Sequence, residues 1–173
     1  MLDRVLATPV VFPVNYGFIP KTIGLDNDPL DMMVIASIRI PPLTVVNVRV
    51  LGVMRMIDTG EVDDKLIGVL EKDPVYSSYK EVTDVPSQTI NKIKAFFETY
   101  KILDNKKVSV VGFENKMSAY ATIQDCKARY KYIYGQWFPF HSLSNILIGC
   151  PYNIKILKFD NLLPKKTFYD DYH

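Results

Sequence analysis

The chain has 173 residues, with 21 lysines and arginines against 19 aspartates and glutamates, so its formal net charge is +2. Nearly balanced charge argues against a dedicated binder of nucleic acid or of a membrane surface. The two cysteines are too few for a disulfide framework, so we expect a reduced, cytoplasmic location. No apolar run approaches the roughly 20 residues of a membrane-spanning helix. The two histidines lie too far apart in the sequence to suggest a histidine-based zinc site.

The first half of the chain is predicted to form short β-strands. Residues 32–40 are apolar and β-branched and stop at two prolines, and residues 45–56 alternate and are rich in valine. Residues 66–70 form a further short apolar run. Several short strands at close spacing favour a small barrel or sandwich over a parallel sheet.

The second half changes to a helical period. Ser87 is suited to be a helix N-cap, and apolar side chains then recur at helical spacing as far as Tyr100. Residues 108–111 predict a strand and residues 115–130 a second helix. The expected inner face of that helix consists of Met117, Tyr120, Ile123 and Cys126. The prediction is therefore an α+β fold, in which a β core packs against two helices.

The sequence after Lys131 has a different character, because it is first rich in aromatic residues and then apolar. We therefore expect a catalytic domain over residues 1–131 and a C-terminal extension over residues 132–173. The extension either wraps the domain or covers a partner subunit, or it has little fold of its own. The sequence leaves these possibilities open.

Acidic residues are concentrated in two short stretches. The first, residues 26–31, reads DNDPLD, and its proline makes it a rigid turn that enters a strand. The second, residues 58–65, suits a hairpin with Gly60 at its tip. Carboxylates this close repel one another unless solvent or a cation relieves them, so a solvated turn and a metal loop are both possible. Oxygen ligands without histidine or thiolate select hard cations, with Mg²⁺ first and Mn²⁺ or Ca²⁺ behind it.

Familiar phosphate and metal motifs do not account for these acids. The first stretch lacks the glycine and glutamate that an EF-hand loop requires, and the chain contains no Walker-type phosphate loop. What remains is a carboxylate-bridged metal cluster of the kind used for in-line phosphoryl displacement.

Four segments, in order, closely resemble the soluble family I inorganic pyrophosphatases. They are residues 15–19 (NYGFI), residues 26–32 (DNDPLDM), which match that family's DxDPxD signature, residues 58–66 and residues 96–101 (FFETYK). The resemblance implies a small OB-type closed β-barrel flanked by two helices. It also implies hydrolysis of pyrophosphate to two phosphates with a carboxylate-bound Mg²⁺ cluster and a metal-activated water. Because the match starts at residues 2–4, later than the family pattern does, we expect the barrel to lack its first strands.

The resemblance assigns roles to particular side chains. The metal ligands would be Asp26, Asp31, Asp58 and Asp63, with Asp31 bridging two ions. Asp28 would be the general base for the metal-held water, and Tyr16 would lie beside the nucleophile. The phosphate contacts would be Arg4, Lys65, Tyr100 and Lys101.

Four of these side chains also have a purely structural interpretation. Arg4 could be a surface charge, and Lys101 could be a cation at a helix C-terminus, where it meets the helix dipole. Tyr16 and Tyr100 could be core tyrosines with a hydrated hydroxyl. Their occurrence together, in motif order, favours the functional interpretation.

The expected partners are pyrophosphate and phosphate, within a homo-oligomer and without nucleic acid or membrane. Mn²⁺ is expected to substitute for Mg²⁺, and Ca²⁺ to inhibit. The alternative is a catalytically impaired binding or assembly protein, or a fragment, that retains the divalent-metal loops. A third possibility, an OB-type nucleic-acid module, is disfavoured because the acidic loops would repel phosphate backbones.

Overall fold

A computed structural model describes residues 6–135 and, for the backbone, residues 154–157. Arg4 and most of the predicted extension lie outside these residues. The strands are β1 (Asn15–Phe18), β2 (Asp31–Ile35), β3 (Val45–Asp58), β4 (Glu61–Val62), β5 (Lys65–Leu70), β6 (Val108–Asn115) and β7 (Ile154–Leu157). The helices are α1 (Ser87–Thr99) and α2 (Lys116–Tyr134).

The strands form one mixed sheet in the order β4-β3-β5-β2-β1-β7, and β6 pairs with β3. The parallel ladder between β2 and β5 sets Asp31 directly beside Lys65. On the other side of β2, the antiparallel ladder sets Phe18 beside Asp31. The sheet register therefore brings together residues that are far apart in the sequence.

Strand β3 is long and irregular, and it pairs with four other strands, β4, β5, β6 and β7. Its ladder with β5 shifts between Val50 and Gly52, and its ladder with β6 shifts between Arg55 and Met56. Such irregularities bend a strand and increase its twist. The end of β3 therefore curves to carry Asp58 to the same end of the sheet as the start of β5.

The sheet is curved, but its six strands between residues 15 and 115 are not closed into a barrel by hydrogen bonds. Strand β7 pairs with the first half of β3, from Val45↔Leu157 to Val48↔Ile154, and with β1 at Phe18↔Leu157. The predicted α+β fold with two packed helices is confirmed. The closure expected of an OB-type barrel is not made by those six strands themselves.

The two helices cover opposite faces of the sheet. Met33 and Ile67 belong to the core under α1, whereas Met32 and Leu66 belong to the core under α2. Successive strand residues point to opposite faces, so a strand buried on both faces is apolar throughout. This explains why β2 and β5 are continuous apolar runs rather than alternating ones.

Three local predictions need correction. Met117 is 68% exposed, because it lies on the outer side of the first turn of α2, and Ala119 takes its place in the core. Helix α1 begins with Ser87, so Pro86 holds the N-cap position. Strand β2 ends at Ile35 rather than continuing to residue 40, because the side chain of Asn15 hydrogen-bonds the backbone of Ile38 and Ile40.

Among the described residues, no helix has the length and apolar character needed to cross a membrane.

Candidate active site

The centre of the site is the ammonium group of Lys65, at the start of β5. Its Nζ atom donates to Asp31 Oδ2 and to Asp63 Oδ1, each at 2.8 Å. The Lys65 side chain is only 2% exposed, and the side chains of Asp31 and Asp63 are 5% and 11% exposed. Two carboxylates and one ammonium are therefore buried together, with net negative charge.

The protonation of Lys65 follows from these contacts. Burial alone lowers the pKa of a lysine, but the charges of Asp31 and Asp63 and their hydrogen bonds outweigh it, so the pKa of Lys65 lies above its ordinary value. The rings of Tyr16 and Phe97 lie 5.8 and 5.6 Å from the ammonium. Aromatic faces attract a cation at this range and keep water away from it. Lys65 is therefore a permanent positive charge.

Tyr16, on β1, completes this group. Its hydroxyl donates to Asp31 Oδ2 at 2.6 Å, so one carboxylate oxygen accepts from both Tyr16 and Lys65. The antiparallel ladder of β1 and β2 holds Tyr16 beside Met33, close to the start of β2. Asp31 is thus fixed by two donors from two neighbouring strands.

A second group of side chains surrounds Asp58, the last residue of β3. Asp58 Oδ2 accepts hydrogen bonds from Lys101 Nζ and, at 3.1 Å, from the Tyr100 hydroxyl. The Thr59 hydroxyl donates to the other oxygen at 2.8 Å. Burial would raise the pKa of Asp58, but the hydrogen bonds from Lys101 and Thr59 and the charge of Lys101 outweigh it, so the pKa is lowered.

The turn after Asp58 explains its orientation. Thr59 and Gly60 have φ angles of 54° and 92°, the left-handed conformation of a tight hairpin turn, and only glycine adopts it without strain. The backbone N–H of Thr59 donates to Lys107 O at 2.9 Å, which ties the turn to the segment before β6. The predicted hairpin with Gly60 at its tip is confirmed by this geometry.

Phe97 and Tyr100, both on the inner side of α1 and its end, connect the two groups. Their ring centroids are 5.6 Å apart, and Phe97 also covers the Lys65 ammonium. Burial raises the pKa of Tyr100, the charge of Lys65 lowers it, and the charges of Asp58 and Asp63 raise it. The net pKa lies above the ordinary value of a tyrosine. Tyr100 therefore stays a neutral donor between the two acid groups.

The first acidic loop is closed by its own hydrogen bonds. Gly24 N donates to Asp28 O at 2.7 Å, and Asp28 N donates to Asp26 Oδ1 at 3.1 Å. A Cβ atom at Gly24 would lie 2.6 Å from Asp26 Oδ1, so only glycine allows the Asp26 carboxylate this position. Asn27 accepts the left-handed conformation, with φ at 63°. The loop thus presents two half-buried carboxylates, Asp26 and Asp28.

A surface pocket brings several of these acids together. Asp26, Asp31, Asp63 and Asp64 all contribute to its lining, and Thr122, Cys126 and Arg129 of α2 form its helix side. Oδ1 of Asp64 is buried and has no hydrogen-bond partner among the described residues. A pocket lined by carboxylate oxygens, one of them unpartnered, fits a hard divalent cation by the chemistry of its donors.

The described side chains do not themselves form a finished metal cage. Within residues 6–135, no three histidine, cysteine, aspartate or glutamate side chains stand in an arrangement that could hold an ion. Lys65 lies between Asp31 and Asp63 and contacts one oxygen of each. The fit therefore lies in the type of donor that lines the pocket, not in a preformed coordination sphere.

The residues singled out in the sequence fall into three sets. Asp31, Asp63, Lys65 and Tyr16 form the buried group, and Asp58, Tyr100 and Lys101 form the adjoining one. Asp26 joins Asp31 and Asp63 in the lining of the pocket, whereas Asp28 and Asp58 do not line it. Arg4 lies outside the described residues.

Sequence reasoning missed Phe97, Asp64 and Arg55 as contributors to this region. Helical spacing predicts only that Phe97 is a core residue. It is one, and its ring also lies over the ammonium group of Lys65. Arg55, on β3, donates at 2.5 Å to Oδ2 of Asp64, which lies in the short segment between β4 and β5. No local pattern signals such a pair, because it depends on the strand register.

The mixed sheet, its two helices and the acid-rich pocket define an α+β protein whose pocket donors suit a divalent cation. The family model described as inorganic pyrophosphatase matches residues 1–131. The inorganic pyrophosphatase of Halalkalibacterium halodurans is 44% identical over 130 residues, which cover 75% of this chain and 80% of that protein. The Helicobacter pylori enzyme is 43% identical over 134 residues, covering 76% and 78%.

Solved structures agree. The inorganic pyrophosphatase structure from Helicobacter pylori matches with a TM-score of 0.73 and 42% identity, and it covers 76% of this chain and 79% of that one. The Thermus thermophilus structure matches with a TM-score of 0.73 and 40% identity, covering 76% and 77%. The chain belongs to the inorganic pyrophosphatase family, as its motifs predicted, and membership implies a divalent metal cofactor.

Proposed function

We propose that this chain hydrolyses inorganic pyrophosphate to two phosphates. The observation that carries the proposal is the buried group in which Lys65 joins Asp31 to Asp63, because it places acids for cations and a cation for phosphate side by side. The relatives that are about 40–44% identical are named inorganic pyrophosphatases, which supports the same reaction.

The proposed metal ligands are Asp26, Asp31, Asp58 and Asp63. When bound, divalent ions lower the pKa of a coordinated water toward neutrality and neutralise charge on the phosphate oxygens. Mg²⁺ is the proposed physiological ion, with Mn²⁺ as a substitute and Ca²⁺ as an inhibitor. Ca²⁺ takes more ligands at longer distances than the compact octahedral Mg²⁺, so it would bind the same acids with the wrong geometry.

Asp28 is the proposed general base. Its loop holds it half-buried beside Asp26, and the backbone of Asp28 makes the hydrogen bonds that close the loop. A carboxylate next to a ligand is placed to take a proton from water at the metal. Tyr16 orients Asp31 through its 2.6 Å hydrogen bond.

The proposed phosphate contacts are Arg4, Lys65, Tyr100 and Lys101. Lys65 has three N–H groups, and two of them donate to Asp31 and Asp63, which leaves one donor for a phosphate oxygen. Tyr100 and Lys101 both point at Asp58, so a phosphate bound to a metal at Asp58 would lie within their reach.

Asp28→Asn tests the assignment of the base. It keeps the shape of the side chain and the backbone hydrogen bonds of the loop, so we expect Mn²⁺ binding to persist while kcat for pyrophosphate falls about 100-fold or more. Phosphate release in Mg²⁺ measures kcat, and calorimetry measures Mn²⁺ binding. Asp104→Asn, at an exposed aspartate after α1, is the matched control and should keep the parental rate.

The outcomes separate the alternatives. If Asp28→Asn retains the parental kcat, another group is the base. If the parental chain binds Mn²⁺ but releases no phosphate, the impaired binding or assembly protein is the better description.

We further propose that residues 1–131 are the catalytic domain and residues 132–173 an extension of it. The family model stops at residue 131, and β7 reaches back to β1 and β3. A chain ended after Gly135 tests whether the domain hydrolyses pyrophosphate alone. A homo-oligomer and a cytoplasmic location remain predictions, and gel filtration and cell fractionation test them.

A further inference from the structure

The segment Asp63-Asp64-Lys65 carries two residues of the buried group with one residue between them. Asp63 and Asp64 lie between β4 and β5, and Lys65 is the first residue of β5. Lys65 Nζ donates to Asp63 Oδ1 at 2.8 Å, so Asp63 and Lys65 are joined directly. Any shift of Asp64 therefore moves both of its neighbours, because they share its backbone.

Asp64 is held by one guanidinium group. Arg55 Nη1 lies 2.5 Å from Asp64 Oδ2, and the Asp64 side chain is 14% exposed. The other oxygen of Asp64 is buried and has no partner among the described residues. Arg55 therefore provides the charge compensation for this carboxylate, and without it the buried charge would be forced toward water.

The same guanidinium reaches two further elements. Nη1 also donates to Thr122 Oγ1 on α2 at 2.9 Å, and Nη2 donates to Glu114 Oε2 on β6 at 2.8 Å. Arg55 itself is on β3, and the backbone N–H of Asp63 donates to Met56 O, the next residue of β3, at 3.0 Å. One side chain on β3 thus links β6, α2 and the segment between β4 and β5.

Asp64 and Thr122 also lie in the lining of the pocket that contains Asp26, Asp31 and Asp63. Arg55 therefore holds two of the residues that line this pocket, Asp64 and Thr122. Mutating residues that support metal ligands in this way commonly lowers metal affinity by about 10- to 100-fold, although these residues touch no metal.

We propose that Arg55 is a positioning residue for the metal site, acting through Asp64 on Asp63 and Lys65. This inference rests on the proposed function for its catalytic consequence, but not for its effect on metal binding. Among the described residues, the hydrogen bonds of Arg55 go to Asp64, Thr122 and Glu114, none of which is a proposed metal ligand.

Arg55→Met tests the inference, because methionine keeps the apolar length of the side chain and removes its donors. We expect affinity for Mn²⁺ alone, measured by calorimetry, to fall about 10-fold or more. The Mg²⁺ concentration for half-maximal hydrolysis should rise by a similar factor. Arg55→Lys should recover part of the affinity, since an ammonium can still pair with Asp64 but cannot also span Thr122 and Glu114.

Further variants distinguish a specific effect on metal binding from a general loss of folding. Asp64→Asn keeps the shape of the side chain and weakens its pairing with Arg55, so it should reduce Mn²⁺ affinity in the same direction. Combined with Arg55→Met it should add little, since both act through one contact. Lys116→Met is the matched control: it breaks the half-exposed 2.7 Å ion pair with Glu81 and should leave Mn²⁺ affinity unchanged.

The result that would overturn the inference is a lower melting temperature in Arg55→Met and Asp64→Asn with unchanged Mn²⁺ affinity, which would mean packing alone. A folded parental chain that binds no Mn²⁺ would also overturn it. Parental Mn²⁺ binding without hydrolysis would instead refute the proposed function, and the affinities of the variants would still judge Arg55.

Discussion

Lys65 and Lys116 form ion pairs of nearly equal length in very different surroundings. Lys65 lies 2.8 Å from two aspartates and is 2% exposed, whereas Lys116 lies 2.7 Å from Glu81 and both side chains are close to 40% exposed. Water and salt screen the exposed pair, while the buried one has no substitute for its partners. Distance alone therefore does not measure what an ion pair contributes.

Lys101 lies between these extremes. Its side chain is 13% exposed and that of Asp58 is 12% exposed. The three lysines form a series in which burial changes and the type of contact does not. Removing each ammonium in turn, with methionine as the common replacement, tests whether burial determines its effect.

The largest effect is expected for Lys65→Met. The change leaves Asp31 and Asp63 buried together without their shared cation, and breaking a buried pair in this way costs about 3–5 kcal/mol. Urea unfolding at neutral pH measures the loss. An equal loss in Lys116→Met would show that burial is not the cause.

A second change tests whether charge or volume explains the loss in Lys65→Met. Restoring charge balance with the second change Asp63→Asn should recover part of the stability, because one fewer carboxylate is left unpaired. No recovery would argue that Lys65 matters for its volume rather than for its charge.

Lys101→Met is expected to cost less, about 1–2 kcal/mol, since Asp58 keeps its hydrogen bonds from Thr59 and Tyr100. The effect should depend on pH. The folded state lowers the pKa of Asp58, so the stabilisation is complete above the unfolded pKa of about 3.9 and is lost as pH falls through the folded pKa.

Acid titration of stability in a metal-free buffer measures this dependence. Below about pH 3.9 the free energies of unfolding of the parental chain and Lys101→Met should converge. A difference that stays constant with pH would exclude the charge of Asp58 as the cause.

The smallest effect is expected for Lys116→Met, whose free energy of unfolding should stay within about 0.5 kcal/mol of the parental value. Added salt should shrink any difference between the two proteins, because it screens the exposed pair that only the parental chain retains. A loss of stability close to that of Lys101→Met would contradict the expectation that exposure weakens the pair of Lys116 with Glu81.

The sequence predicted what local pattern controls. Helical spacing identified α1, valine-rich alternation identified β3, and glycine at position 60 identified the hairpin turn. It overestimated β2, because the contacts of Asn15 with the backbone of residues 38 and 40 join segments more than 20 residues apart. Met117 was misplaced for a different reason: it precedes Cys126 by about two and a half helical turns, so it lies on the side of α2 opposite to the buried face.

The site itself could be named from motifs but not assembled from them. Asp31 and Lys65 are 34 residues apart, and only the parallel ladder of β2 and β5 makes them neighbours. The contacts of Arg55 with Asp64, Glu114 and Thr122 depend in the same way on the register of β3 with its partners. Spacing rules describe neighbours along one element, so these contacts required the fold.

The most direct test of the account is phosphorus NMR of the full chain with pyrophosphate, with Mg²⁺ and then with excess chelator. We expect the pyrophosphate signal to be converted to that of phosphate in Mg²⁺, and the conversion to stop when the chelator is added. A folded chain that binds Mn²⁺ and leaves pyrophosphate intact in Mg²⁺ would contradict it.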